Sequence, residues 1–549
     1  MCEECPPSLP GERTGGWRPL GTVSGMNAPL HLPSHPATLA GFAEDLLGLT
    51  VDGVARRIGQ VAVAALERED PLPAELAAAG QDPLALLIRL FLLGAQLTDA
   101  ELQAALPNSA AEARSWGVVT GAGAGCVRAG VDLRPTTIGT KDVWLAADLS
   151  EIATGRPLPA DHVLGLGGAS ATLVDLTVRT PVERALDLGT GSGIQTLGLA
   201  THAERVLATD ISPRALQFAA FNTALNDAMS RVLGRRARGE RTGGIEFRQG
   251  SFFEPVDGDY DLIVSNPPFV VSPRTSSLER YTYRDGGFVG DGVVQHLIEE
   301  LPEFLRPGGV AQLLANWEVH EDQEWHTRIG EWVRALGIDA WVVQREFLDP
   351  AHYAATWIRD GGLTPDRDPD GYRSAYTDWL ADLTSRGVQG IGFGYVTLRK
   401  PARPRPPWVR LEEITGTIGA GLGETVARTL QAVESLAGAR EEDLLPWHLE
   451  VAPDVSEERY YRPGASDPNV ILLRQGGGFA RSVQIDTLGA AVVGACDGDL
   501  SLGEICAAVA SLISAEAGAV IAGVLPTIRG LLTDGLLVHR PTRRDTLIS

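Results

Sequence analysis

The sequence predicts an α/β protein with a doubly wound, mainly parallel central sheet and a helical domain on each side. Three observations lead to this fold class. Strand-like and helix-like segments alternate from about residue 155 to 400, as they do where helices connect parallel strands. The sequence before this region is mostly typical of helices. A stretch rich in proline and arginine near residue 401 separates the centre from a second helical region.

Length and composition limit the class of protein. A chain of 549 residues suggests about three domains. The net charge of -23 argues against strong non-specific binding to nucleic acid. No apolar run is long enough for a membrane helix, and the first 25 residues hold no signal-peptide core, so we expect a cytoplasmic protein without a membrane partner. Cys2 and Cys5 form a C-x-x-C pair with no second pair nearby, so we predict no metal site.

The sequence of the N-terminal third predicts a poorly ordered tail followed by a helical domain. Residues 1–35 are rich in proline and glycine and are expected to be poorly ordered. Asp82 is the predicted cap of a helix over 84–93, and Thr98 and Glu101 form a capping box for the next helix. A third short helix is predicted next, followed by a glycine-containing sequence typical of β-strands. Residues 36–150 are therefore predicted to form a helical, winged-helix-like domain.

The central region, residues 155–400, holds the alternating pattern. The predicted strands lie at 185–188, 206–209, 245–248, 260–265, 310–315, 340–345 and 393–398. The clearest helices are predicted at 196–202 and at 213–229, where Pro213 occupies the first turn.

The C-terminal third begins after a linker. Residues 401–410 are predicted to be a semi-rigid Pro/Arg linker, and 411–549 a second winged-helix-like domain. Within it, 470–473 is strand-like, and Ser501 and Glu504 form a capping box. Asp534 and Gly535 stand between apolar runs, which predicts a hairpin over 531–538.

A glycine-rich loop joins the first central strand to its helix. Asp187-Leu188-Gly189-Thr190-Gly191-Ser192-Gly193 has G-x-G-x-G spacing, which differs from the G-x-G-x-x-G dinucleotide fingerprint and from the P-loop. Glycines there let backbone N–H groups approach a ligand near the positive end of a helix. Asp210 ends the next strand, 23 residues after Asp187, where a carboxylate can accept both hydroxyls of a ribose.

The tetrapeptide Asn266-Pro267-Pro268-Phe269 follows the strand at 260–265. Ligands of open α/β sheets bind at this carboxyl end, and the prolines fix the direction of the turn. The Asn266 side-chain oxygen and the Pro267 carbonyl can each accept one N–H of a planar amide or amine. The ring of Phe269 can stack on the same group. Since a delocalised nitrogen is a poor nucleophile, such a site would act mainly by positioning.

The glycine loop, Asp210 and the Asn-Pro-Pro-Phe tetrapeptide, in this order and at this spacing, resemble the motifs of class I S-adenosylmethionine-dependent methyltransferases. The tetrapeptide resembles the signature of amino-group methyltransferases, including the HemK-like, small-domain family that acts on release-factor glutamine. The resemblance covers about residues 155–400 and implies a Rossmann-like sheet, S-adenosylmethionine as cofactor and Asn266, Pro267 and Phe269 as catalytic residues. The implied cofactor-binding residues are Asp187, Gly189, Thr190, Gly191, Gly193, Asp210, Ile211, Ser251, Phe252 and Asn266.

The substrate stays open between several classes. The text N-P-P-F-V-V-S-P and the glycine-rich run that follows are similar to archaeal and eukaryotic HemK-type enzymes, which usually have tyrosine where Phe269 stands. Ribosomal-RNA guanine methyltransferases have phenylalanine there, commonly followed by histidine, whereas Val270 follows here. We therefore favour a protein glutamine as acceptor. An amino group of a nucleobase in ribosomal or transfer RNA, or in DNA, is the alternative. A binding protein that keeps the cofactor site without turnover is the third hypothesis.

Two further features bear on recognition. Gly250-Ser251-Phe252 stands where many relatives carry an acid that contacts the adenine amino group, so Ser251 is the predicted replacement. Five arginines between a helix and the third strand favour a solvated insertion over an RNA-contacting loop, because no aromatic residues are interleaved. They are Arg231, Arg235, Arg236, Arg238 and Arg241. The flanking domains could recruit nucleic acid, a protein or a second copy of the chain.

Overall fold

A computed structural model describes residues 30–66, 68, 70–150, 154, 158–234, 244–273 and 286–540. Cys2 and Cys5, four of the five arginines discussed above and most of the tail predicted at 1–35 lie outside these residues. The fifth arginine, Arg231, forms a surface ion pair with Asp227 at 2.7 Å. Among the described residues, no helix is both long and apolar enough to cross a membrane.

In its described residues, the N-terminal segment contains seven short α-helices and two small antiparallel sheets. The capping box of Thr98 and Glu101 is present, as predicted. The first sheet has the order β1-β3-β2, and the second is the hairpin of β4 and β5. The winged-helix assignment of this segment stays a prediction. The elements are α1 (Ala40–Asp45), α2 (Val51–Ile58), α3 (Gln60–Leu66), α4 (Leu72–Ala77), α5 (Pro83–Leu87), β1 (Leu97–Thr98), α6 (Asp99–Ala105), α7 (Ala110–Ser115), β2 (Val119–Gly123), β3 (Cys126–Ala129), β4 (Asp132–Ile138) and β5 (Lys141–Ala147).

The central region is built on one eight-stranded sheet, and all seven predicted strands lie within it. The predicted helix at 196–202 is observed slightly earlier, and the helix that starts at Pro213 extends three residues further than predicted. The elements are α8 (Gly168–Leu176), β6 (Val182–Leu188), α9 (Ile194–Leu199), β7 (Ala203–Asp210), α10 (Pro213–Val232), β8 (Gly244–Gln249), β9 (Tyr260–Ser265), α11 (Gly292–Glu300), β10 (Leu305–His320), α12 (Trp325–Ala335), β11 (Asp339–Leu348), α13 (Pro350–Asp360), α14 (Pro369–Ser385), β12 (Val388–Arg399) and β13 (Val409–Glu413).

The strand order is β13-β11-β12-β10-β9-β6-β7-β8. Strands β6 to β10 run parallel to one another, and β12 is antiparallel to both of its neighbours. The doubly wound, mainly parallel sheet is thus confirmed. Because β9 and β6 are adjacent, the glycine loop and the Asn-Pro-Pro-Phe turn leave the sheet side by side at its carboxyl edge.

The sheet extends beyond the boundary that we predicted at residue 400. Strand β13 pairs in parallel with β11, although its sequence lies at the end of the predicted linker and the start of the next domain. The linker is held against the sheet by Arg405, whose guanidinium bonds to the buried carboxylate of Asp339 at 2.8 and 2.5 Å. An edge strand of a sheet presents unpaired backbone groups, and β13 satisfies those of β11. Proline content alone could not reveal this pairing.

The C-terminal segment also differs from prediction at its end. The expected hairpin over 531–538 is wrong, because α19 continues to Thr533 and Gly535 ends it, with the Leu536 N–H bonded to the Leu531 carbonyl at 2.9 Å. Strand β19 then pairs with β14. The capping box of Ser501 and Glu504 is present. The elements are α15 (Leu422–Leu436), α16 (Glu441–Leu444), β14 (His448–Val451), β15 (Val455–Tyr460), β16 (Val470–Gln475), β17 (Ser482–Ile485), α17 (Thr487–Val493), β18 (Asp497–Ser501), α18 (Leu502–Leu512), α19 (Ala517–Thr533) and β19 (Leu537–Arg540).

The contact between Asp339 and the linker yields a stability prediction. Replacing Asp339 by alanine leaves the largely buried Arg405 guanidinium without its main partner and removes the acceptor of the Trp408 N–H. Breaking one side of a buried ion pair typically costs about 3 kcal/mol or more. We expect Asp339→Ala to lower the free energy of unfolding in urea by about that amount, whereas alanine at the exposed Glu204 of β7 leaves it nearly unchanged. Equal midpoints for the two variants would show that the linker does not stabilise the sheet.

Candidate active site

The glycine loop turns sharply between β6 and α9. Gly189, Gly191 and Gly193 have φ angles of 78°, 55° and 90°, a region that residues with a Cβ rarely adopt. A Cβ added to Gly189 or Gly191 would meet open space, because both residues line a cavity at the carboxyl edge of the sheet. A Cβ on Gly193 would lie 2.9 Å from the Cα atom of Ala219, so this glycine is required for close packing against α10.

Asp187 lies beneath the loop and does not line the cavity. Its side chain is fully buried, and its Oδ2 atom accepts hydrogen bonds from the hydroxyls of Thr190 at 2.7 Å and Thr196 at 2.6 Å. Burial raises the pKa of the Asp187 carboxyl to about 6, although the two hydroxyl donors act in the opposite direction. Asp187 therefore supports the loop from behind.

Asp210 does line the cavity, at the end of the neighbouring strand β7. One carboxylate oxygen accepts the N–H of Gly191 and the other accepts the N–H of Ser212, each at 2.9 Å. Burial raises the pKa of this carboxyl. Each oxygen keeps a lone pair free to accept a ligand hydroxyl, so Asp210 can orient the glycine loop and a ribose together.

The cavity has a volume of about 250 Å³ and collects most of the predicted residues. Twelve different residues were predicted for the site, and three of them, Asp187, Gly193 and Phe269, do not line it. Those that do are Gly189, Thr190, Gly191, Asp210, Ile211, Ser251, Phe252, Asn266 and Pro267. Among the described lining residues there is no lysine or arginine. No group of three or more potential metal ligands lies together within the described part of the chain.

A further wall of the cavity was not predicted. It comes from the segment before β6, and its lining residues are Asp161, His162, Val163, Leu164, Gly165 and Ser170. His162 is largely buried, and burial lowers the pKa of its imidazole. The segment has no strand or helix periodicity up to residue 167 and no recognisable motif, so only its glycines could have drawn attention to it.

Asn266 lines the cavity and contains an acceptor without a hydrogen-bond partner. Its side-chain N–H group donates to the Ser170 hydroxyl at 3.2 Å, whereas its Oδ1 atom is buried and has no hydrogen-bond partner. The Pro267 carbonyl accepts the N–H of Phe269 at 2.8 Å and retains one lone pair. The preceding residue, Ser265, donates its hydroxyl to the Leu188 carbonyl at 2.8 Å, which ties this turn to the strand below the glycine loop.

Phe269 turns away from the cavity. It is partly buried and packs against three apolar clusters of the central region, one of which contains Val270, Val271 and residues of α13 and α14. The Val271 N–H donates to the Tyr353 hydroxyl at 2.8 Å. Phe269 thus anchors the turn to the helices inserted between β11 and β12. The stacking of its ring on a substrate stays a prediction.

Aromatic rings lie together just after the end of strand β8. Phe252 has a φ of 44°, which places its ring against Phe288 at 6.0 Å and His296 at 5.6 Å between centroids. The Ser251 N–H donates to the Glu254 carboxylate at 3.2 Å. This corner of the cavity therefore offers aromatic faces and backbone groups to a planar ligand.

Comparison with known proteins yields three family models. The model described as methyltransferase small domain matches residues 165–334. Two models described as domains of unknown function match residues 47–130 and 428–539.

Curated relatives match the central region. The release factor glutamine methyltransferase of Haemophilus influenzae is 30% identical over 214 residues, which are 36% of this chain and 70% of that protein. The ribosomal protein uL3 glutamine methyltransferase of Bradyrhizobium diazoefficiens is 35% identical over 27% of this chain and 45% of its own length. The ribosomal RNA small subunit methyltransferase C of Alcanivorax borkumensis is 30% identical over 25% of this chain and 33% of its own length. This chain thus spans about half or less of the latter two relatives.

The raised pKa of Asp187 predicts a dependence of stability on pH. The pKa of the carboxyl is near 3.8 in the unfolded chain and about 6 in the folded protein, so between these two pH values the folded protein binds the proton more tightly than the unfolded chain does. Stability contributed by the protonated form is present below pH 4 and is lost as pH rises through 6, at a cost of about 3 kcal/mol. We expect the free energy of unfolding of wild type minus that of Asp187→Asn to fall between pH 4 and 7. Parallel curves for the two proteins would contradict the assignment.

Proposed function

The chain belongs to the HemK-like family of class I S-adenosylmethionine-dependent methyltransferases, and from this premise we propose that it methylates a glutamine side-chain amide of a protein. The release factor glutamine methyltransferase of Haemophilus influenzae, which is matched over 70% of its length, supports the family assignment. Its name supports glutamine as the acceptor. The observation that carries the proposal is the buried, unpaired Oδ1 atom of Asn266.

The residues of the cavity fit the cofactor of this family. Gly189 and Gly191 leave open space where side chains would otherwise stand, and Asp210 offers carboxylate lone pairs beside them. Ile211 and Phe252 line the cavity close to Asp210 and Ser251 in sequence, and offer apolar surface to a base. S-adenosylmethionine would supply the methyl group from its sulfonium: the sulfur–carbon bond would break as the nitrogen–carbon bond forms, neutral S-adenosylhomocysteine would leave, and the methylated nitrogen would give up one N–H proton to water.

The acceptor side of the cavity fits a planar primary amide. An unpaired buried acceptor costs free energy, and an incoming N–H removes that cost. Asn266 Oδ1 accepts one N–H of the substrate amide, and the remaining lone pair of the Pro267 carbonyl accepts the other. The hydrogen bond to Ser170 fixes the orientation of the Asn266 side-chain amide. Both acceptors favour localisation of the nitrogen lone pair toward the methyl group, and orientation supplies most of the rate.

Charge favours a protein over a nucleic acid as substrate. Binding of RNA depends on cations that contact phosphates. The described residues that line the cavity include Asp161 and Asp210 but no lysine or arginine, and the whole chain carries a net charge of -23. The names of two relatives, one acting on release factor and one on ribosomal protein uL3, point the same way. A substrate in the translation machinery would place the reaction in the cytoplasm.

A nucleobase amine is the second candidate, and one feature favours it. Phe269 stands where archaeal and eukaryotic HemK-type enzymes usually carry tyrosine, and a ribosomal RNA methyltransferase is among the relatives. Methyl-labelled S-adenosylmethionine, incubated with an extract of cells that lack the gene, separates the two. Label released by protease supports the glutamine proposal, and label released by RNase overturns it. Binding of the cofactor without any labelled macromolecule would favour a protein that does not turn over.

The role of Asn266 can be tested by substitution. We expect Asn266→Ala to lower kcat by about 10²- to 10³-fold, because one positioned acceptor for the reacting group is lost. The dissociation constant for S-adenosylmethionine should rise by a much smaller factor than kcat falls, since the glycine loop and Asp210, which provide most of the implied cofactor contacts, are unchanged. Ser170→Ala should give a smaller loss of kcat, because it only frees the orientation of the Asn266 amide. Turnover by Asn266→Ala at the wild-type rate would exclude this site as the place of methyl transfer.

A further inference from the structure

Two asparagines of helix α10 form hydrogen bonds with the backbone of strand β5 in the N-terminal segment. Asn226 accepts the N–H of Trp144 at 3.0 Å and donates to the Trp144 carbonyl at 2.8 Å. Asn222, one helical turn earlier, accepts the N–H of Ala146 and donates to its carbonyl, both at 2.8 Å. Trp144 and Ala146 are two residues apart, so their backbone groups point to the same edge of β5. The two side-chain amides therefore satisfy an edge that would otherwise be unpaired.

Only one of the two asparagines also reaches the cofactor site. The Nδ2 atom of Asn222 donates a second hydrogen bond to the Ser192 carbonyl at 2.8 Å, and Ser192 belongs to the glycine loop and lines the cavity. The corresponding second bond of Asn226 goes to the Asn222 carbonyl within its own helix. Asn222 is fully buried, so water cannot replace any of its three contacts.

The end of the same hairpin supports a second wall of the cavity. Asp148 follows β5, and its backbone N–H donates to the Val163 carbonyl at 3.1 Å while its carboxylate accepts the Val163 N–H at 3.0 Å. Arg214, in the first turn of α10, donates to the same carboxylate at 2.8 Å. Val163 lines the cavity. The hairpin thus contacts the cavity wall at Val163 directly and the glycine loop through Asn222.

We propose that Asn222 is a positioning residue that couples the docking of the β4–β5 hairpin to the shape of the glycine loop, so that the N-terminal segment forms part of the cofactor site. This inference rests on the proposed use of S-adenosylmethionine. Asn222 holds the Ser192 carbonyl in the orientation that the turn at Gly191 and Gly193 requires, and the hairpin holds Asn222. Because coupling between two binding events is reciprocal, cofactor binding must tighten the docking of the hairpin by the same factor.

The two asparagines form a matched pair of variants. Asn222→Ala and Asn226→Ala each remove two hydrogen bonds to β5, and both should lower the melting temperature. Titration calorimetry with S-adenosylmethionine should separate them. We expect the dissociation constant to rise about tenfold or more for Asn222→Ala and less than about twofold for Asn226→Ala, as fits the loss of one buried hydrogen bond to the loop. Equal losses in both variants, or no loss in either, would overturn the proposal.

Hydrogen exchange provides a readout that needs neither turnover nor cofactor. In the free protein, exchange over residues 187–195 should accelerate in Asn222→Ala but not in Asn226→Ala, whereas exchange over 141–147 should accelerate in both. Unchanged exchange in the glycine loop of Asn222→Ala would refute the coupling. If that variant fails to fold, Asn222→Ser removes both bonds donated by the side-chain amide without adding a charge to the buried site, and the same exchange experiment applies to it. Normal cofactor binding by wild type without methyl transfer would reject only the proposed activity.

Discussion

The candidate active site depends on the hydrogen bonds that Asp187 accepts beneath the glycine loop. A carboxylate without a cation partner is costly to bury, and here its Oδ2 atom is satisfied only by Thr190 and Thr196. Thr190 belongs to the loop and Thr196 to helix α9, so one oxygen links the turn to the helix that follows. Asp210 holds the outer side of the same loop through the Gly191 N–H. The loop is therefore supported by two acids, of which Asp210 lines the cavity and Asp187 does not.

The glycine loop and the Asn-Pro-Pro-Phe turn, which form the proposed cofactor and acceptor sides of the cavity, lie close together because β6 and β9 are adjacent strands. The Ser265 hydroxyl and the Leu188 carbonyl join the two strands at the point where both end. The glycine loop and Asn266 therefore line a single cavity. Methyl transfer requires donor and acceptor to lie close together, and the two neighbouring strand ends place both groups of residues beside one cavity.

The segments on either side of the central sheet are integral to it. Buried residues of the N-terminal helices share one apolar cluster with Phe218 and Phe221 of α10. On the other side, Leu422 and Val426 of α15 pack in the same cluster as Leu173 of α8. Strand β13 and the Arg405–Asp339 pair close the far edge of the sheet. Loss of either flanking segment would thus expose apolar surface of the central region, and the N-terminal one also contacts the cofactor site through Asn222.

The sequence by itself determined the order of the central strands along the chain, the glycine loop, and the positions of Asp210 and Asn266 at strand ends, because these depend on residue types close together in the chain. It also identified the capping boxes at Thr98 and Ser501. Tertiary structure alone decided that Asp187 supports the loop from behind, that Phe269 anchors the turn, that residues 161–170 complete the cavity and that β13 joins the sheet. Each of these depends on contacts between segments distant in sequence, and packing selects such contacts without leaving a local pattern. The role of Asn222 is of the same kind, because its partners lie 30 and 76 residues away.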